Sequence, residues 1–171
     1  MKNLLISLLK TYYNIDVTRP LNCPEQIPVP IPEKTKGEKL YEFCMQYYNT
    51  DPTPKDIVDD EVACAEVMST LLNKHLGEFP MITYTPKMLE YLKKDTRFKE
   101  TTEFKTGNVI ISPTGSGAGR KIGHIGIIGK DGKILSNSSS TGLWFDKFDN
   151  LSWIDNYSRI GGLNMYIFEL V

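Results

Sequence analysis

Three cysteines and two histidines supply the thiols and near-neutral bases of this 171-residue sequence, and their spacing narrows the chemistry they could do. Acyl transfer needs a thiol within hydrogen-bond reach of an imidazole, and a third polar group to orient the ring. His75 stands eleven residues beyond Cys64 on what reads as one helix. At ~1.5 Å per residue that is about 16 Å, too far for a proton transfer. Its place near a helix C-terminus gives it a structural role, with the dipole favouring its charged form. His124 sits in GHIGIIG between Gly123 and Gly126. Strand glycines mark the close approach of a ligand or of another backbone. The pair to test is therefore Cys64 as nucleophile and His124 as base. The bland alternative is a satisfied core histidine and a cysteine buried as a small hydrophobe.

The elements that must position this pair fall into two blocks. Leu40, Phe43, Cys44 and Tyr47 recur at helical spacing after Gly37. In DIVDDEVACAEVMSTLLNKH, residues Cys64, Met68, Leu71, Leu72 and His75 share a stripe, with Asp59 or Asp60 as N-cap. A third helix begins at Thr85 with Pro86 in its first turn. Beyond residue 105, segments 109–111, 122–128, 133–138 and 165–170 read as strands. Helices first and strands afterwards predict an α+β fold, with N-terminal helices packed on an antiparallel sheet. The spaced prolines Pro20, Pro24, Pro28, Pro30 and Pro32 set residues 1–35 apart as an N-terminal arm, leaving 36–171 as the main domain.

A hairpin supplies the third group. A two-residue turn at Asp131-Gly132 pairs residues whose numbers sum to 263, so that Gly126 opposes Asn137. Asn137 then shares the face of His124 as a diagonal neighbour, and Ser136 and Ser138 point away. A one-residue change in loop length reverses that parity. Trp144 and Trp153 fit a sugar-stacking rim or, more simply, the core. The loop SPTGSGAGRK fits a wall of the cleft or a solvated connector.

Composition limits the function classes. A formal net charge of −1 argues against a nucleic-acid-binding surface. The apolar run 4–9 is too short for a conventional signal peptide or a membrane span. The odd cysteine count and the lack of C-x-x-C spacing give no zinc signature, while a Cys23–Cys44 pair stays open. No calcium-loop pattern appears, so neither a metal nor a cofactor is expected.

The order of these motifs resembles the papain-like CHAP and NlpC/P60 cysteine peptidases. GHIGIIGKDGKILSNSSSTGLW is similar to phage-encoded lysins of CHAP type, and FKTGNVIIS is similar to the family strand before the histidine, with Asn108 where Asp is frequent. The resemblance spans about residues 55–155. It implies a papain-like fold, a Cys64–His124–Asn137 triad and a thiolate–imidazolium pair attacking an amide through a thioester. It also implies peptidoglycan as substrate, cut within its peptides or at the muramoyl-alanine amide. The oxyanion would be held by the Cys64 N–H, with Tyr48 as a further donor. Asp59, Asp60 and Glu61 ahead of Cys64 oppose a thiolate. Synthesis in the cytoplasm is expected, with action on the wall from a phage tail or after release. The arm would bind phage virion proteins. Two rivals remain: a non-catalytic structural or adaptor protein of a phage particle, and a papain-like thiol enzyme acting on a protein or lipid substrate.

Overall fold

The computed structural model describes residues 32–53, 59, 63–117 and 119–171. The chain divides between Glu33 and Lys34, two residues before the expected boundary, and residues 34–171 form the main domain. Nearly all of the expected arm, its short apolar helix and its prolines up to Pro30 lie outside the described residues.

Among the described residues three helices come first: α1 (Lys36–Met45), α2 (Cys64–Leu76) and α3 (Thr85–Lys94). Thr35 starts α1 through a capping box, accepting from the Glu38 N–H while Glu38 accepts from the Thr35 N–H. Pro86 occupies the first turn of α3 as expected. The strands are β1 (Phe98–Thr101), β2 (Val109–Ser112), β3 (His124–Ile128), β4 (Lys133–Asn137), β5 (Trp144–Asp149) and β6 (Tyr166–Leu170). They form one antiparallel sheet in the order β1-β6-β2-β3-β4-β5. A short helix α4 (Asn150–Trp153) runs into a π-helical turn, Ile154–Arg159, between β5 and β6. The α+β class and the antiparallel sheet are as expected. Strands β1 and β5 and the α4 segment are additions to that reading.

The sheet is buried on both faces. Val109, Ile111, Ile125, Ile127 and Leu135 face the helices, meeting Leu40, Met68, Leu72 and Met88 in one core. Each fully buried leucine or methionine contributes roughly 1.5–3 kcal/mol through burial. Ile110, Ile128, Ile134 and Ile167 point the other way, and Trp153 and Tyr157 cover them. The α4 segment is thus a lid on the second face, and Asp149 caps its start by accepting from the Ser152 N–H.

The β3–β4 hairpin departs from the expected register. Asp131 and Gly132 take positive φ (56° and 72°), as an Asp-Gly turn requires. Lys130 is drawn into the turn as well: the Lys133 N–H donates to the Lys130 carbonyl, and the Gly129 N–H donates to Lys133 at 2.6 Å. The loop therefore takes three residues, and paired numbers sum to 262: Gly126 with Ser136, Ile127 with Leu135 and Ile128 with Ile134. That single residue reverses the parity. Ser136 shares the His124 face, and Asn137 shares the face of Leu135 toward the helices. The glycines beside His124 answer to neighbouring backbone. A Cβ at Gly126 would lie 2.5 Å from the Leu135 carbonyl, and one at Gly123 would lie 2.2 Å from that of Ser112.

Candidate active site

Cys64 is the first residue of α2, where the helix leaves its N–H groups without intrahelical partners. Ala63 occupies the cap position and offers no side-chain acceptor. Asp59, one of the two expected caps, is exposed ahead of the helix, and the other, Asp60, lies outside the described residues, as does Glu61. The free N–H groups of Cys64 and Ala65 point instead at the Cys64 sulfur, and the Ile125 N–H of β3 joins them. All three favour a thiolate, and burial opposes it. Burial prevails: Cys64 is 6% exposed, and its thiol is pushed up to about 11.

His124 begins β3, one residue before that Ile125 donor. Three aromatic rings enclose it: Trp153 at 5.5 Å, and Phe148 and Tyr157 each at 5.7 Å, the last stacked at 14°. Burial in this cage, and then the charge of Lys147, lower its pKa to about 3. A hydrogen bond to the Asn137 backbone pulls the other way, and Nε2 has no partner.

Main-chain groups of β3 and β4 reach both side chains: the Ile125 N–H goes to the Cys64 sulfur, and the His124 ring bonds to the Asn137 backbone.

Burial pushes the thiol up to about 11 and the imidazole down to about 3, so it favours the uncharged form of each, the opposite direction from the expected thiolate–imidazolium pair.

Of the expected triad, Cys64 and His124 line one cleft. Asn137 meets the ring through its backbone, because the three-residue turn sends its side chain to the helix-facing side. Tyr48 is not an oxyanion donor: it is exposed, its hydroxyl donates to Asp146, and it stands outside the cleft. Trp144 and Trp153 are fully buried, so neither forms a sugar-stacking rim. Asn108 is buried, donating to the Glu103 carbonyl, a structural role. His75 packs against the Phe43 ring at 5.1 Å, and burial lowers its pKa, the opposite direction from that expected of the helix dipole. Tyr157 and Lys147 were not anticipated. Tyr157 is stacked on His124, and burial, then the neighbouring Cys64, raises its pKa. It sits in a π-helical turn, whose spacing leaves no helical or strand period to read.

The cleft holding the pair measures about 860 Å³, and Arg120, Lys121, Gly123, Lys147, Phe148 and Tyr157 are among the residues that line it. The Gly/Ser-rich loop therefore ends as a wall of this cleft. A second cleft of about 340 Å³ also opens on Cys64, lined by Thr83, Tyr84, Thr85 and Thr114. Among the described residues no helix is long and apolar enough to cross a membrane. No protein-family model matches the chain, and no curated protein matches it, so the chemistry of this site rests on its own geometry.

Proposed function

We propose that the chain is a papain-like cysteine hydrolase, with Cys64 as nucleophile and His124 as general base, cutting an amide of peptidoglycan. The observation that carries this reading is that Cys64, at the first turn of α2, and His124, at the start of β3, line the same cleft.

Because burial favours the uncharged form of each group, proton transfer accompanies attack. The Cys64 sulfur bonds to the substrate carbonyl carbon as its proton passes to His124. The tetrahedral oxyanion takes hydrogen bonds from N–H groups at the uncapped start of α2. The imidazolium then protonates the leaving amine, the C–N bond breaks, and a thioester remains. Water attacks it, giving a proton to His124, and the thiol departs with that proton restored. The Asn137 carbonyl steadies the imidazolium throughout. Peptidoglycan as substrate rests on the likeness of GHIGIIG and its following strand to the phage-type lysins. Delivery to the wall, from a phage tail or after release, belongs to the same reading.

One observation favours the rival, a non-catalytic phage structural protein: His124 is only 8% exposed, and its aromatic cage keeps it neutral. Digestion of several wall types with wild-type and Cys64→Ala protein separates the two. Release of new peptide termini by wild type and its loss in the variant, with unchanged melting, is the expected result. Intact walls throughout leave the rival standing.

A further inference from the structure

The two clefts that meet at Cys64 differ in charge. Arg120, Lys121 and Lys147 line the larger one, and among the described residues no aspartate or glutamate does. Among the described residues none of the three cations is ion-paired. The smaller cleft is lined by Thr83, Tyr84, Thr85 and Thr114 and presents mainly apolar surface, and among the described residues Arg120 is its one charged residue. The three cations come from separate segments: Arg120 and Lys121 precede β3, and Lys147 lies on β5.

We propose that the His124 side of the cleft takes a carboxylate-bearing part of the substrate, paired with Lys121 and Lys147, while a neutral part lies along the threonine-lined side. What bond is cut there rests on the hydrolase reading; the preference for an anion does not. A carboxylate at this place has a further effect. Lys147 lowers the basicity of His124, so neutralising it makes the ring a better proton acceptor once substrate is seated. A neutral ligand would leave that opposing charge in place.

The test uses Lys121→Gln/Lys147→Gln protein, both residues being exposed in the native chain. Alkylation of Cys64 by iodoacetate and by iodoacetamide, near pH 9, is followed on the Cys64 peptide by mass spectrometry. Both reagents meet the same thiolate, so their rate ratio reports the charge of the cleft alone. The ratio is expected to fall about fivefold in the double variant, the scale of one contact ion pair in water. In parallel, one wall preparation is divided, and half has its carboxyls capped as amides. Wild type is expected to release product about tenfold more slowly from capped walls, and the double variant to lose this discrimination. Equal reagent ratios in the two proteins overturn the proposal whether or not walls are cut. A changed ratio with no cleavage of either wall keeps the anion preference and overturns the hydrolase reading instead.

Discussion

Acidification should destabilise this fold through one ring. His124 is held neutral in the native state with a pKa of about 3, whereas an unfolded histidine titrates near 6.5. Below 6.5 the unfolded chain binds a proton that the native chain refuses. Stability is therefore intact above about pH 6.5 and is lost as pH falls toward 3. At pH 4.5, about two units below the unfolded value, the loss from this group is about 2.7 kcal/mol at ~1.4 kcal/mol per unit. Total stabilities run near 5–15 kcal/mol, so the effect is readily measured. Urea unfolding of wild type and His124→Gln, followed by the fluorescence of buried Trp144 and Trp153, isolates it. The variant costs stability at every pH, and only the difference between pH 7 and pH 4.5 matters. Wild type should lose about 2.7 kcal/mol more than the variant over that interval. Equal losses would refute the claim that burial keeps this ring neutral. Cys64 predicts the opposite slope at high pH: its raised pKa contributes stability that is present below the usual thiol value and lost as pH rises through about 11.

Alkylation of Cys64 by iodoacetamide should climb about tenfold per pH unit through neutrality, following a thiol at about 11; a flat, fast plateau between pH 5 and 8 would show a preformed ion pair. Gly126→Ala should cost about 3 kcal/mol in chemical denaturation, since its Cβ would press on the Leu135 carbonyl at 2.5 Å. Thr35→Ala should cost about 1 kcal/mol by removing the acceptor for the Glu38 N–H at the start of α1. A loss above 3 kcal/mol there would mean that Thr35 does more than cap.

The helices were legible because burial imposes a 3.6-residue period on them, and Leu40, Met68, Leu72 and Met88 all face the core. The approach of Cys64 to His124 was legible through elimination, since His75 is three helical turns from the thiol. The third group was harder. Asp-Gly is compatible with turns of two or three residues, and only the recruitment of Lys130 decides which face Asn137 takes. Strand β5 was missed because WFDKFD mixes aromatic and charged residues without a two-residue alternation and is half-exposed at the sheet edge, so neither a period nor a continuous apolar run marks it. The aromatic cage escaped because Phe148, Trp153 and Tyr157 meet only after the chain folds back over the second sheet face.

Because His124 is steadied by a main-chain carbonyl, natural selection and mutagenesis would see this contact differently from a side-chain triad. Residue identity at position 137 is free to drift so far as the ring is concerned, and an alanine scan there would report only how that side chain packs. The length of the exposed Lys130–Gly132 turn is what cannot vary. Deleting one residue from this surface loop would shift the whole of β4, presenting a different carbonyl to the imidazole without altering any residue of the cleft. A relative that kept the chemistry would then be recognised by the count of residues between histidine and carbonyl rather than by a shared asparagine.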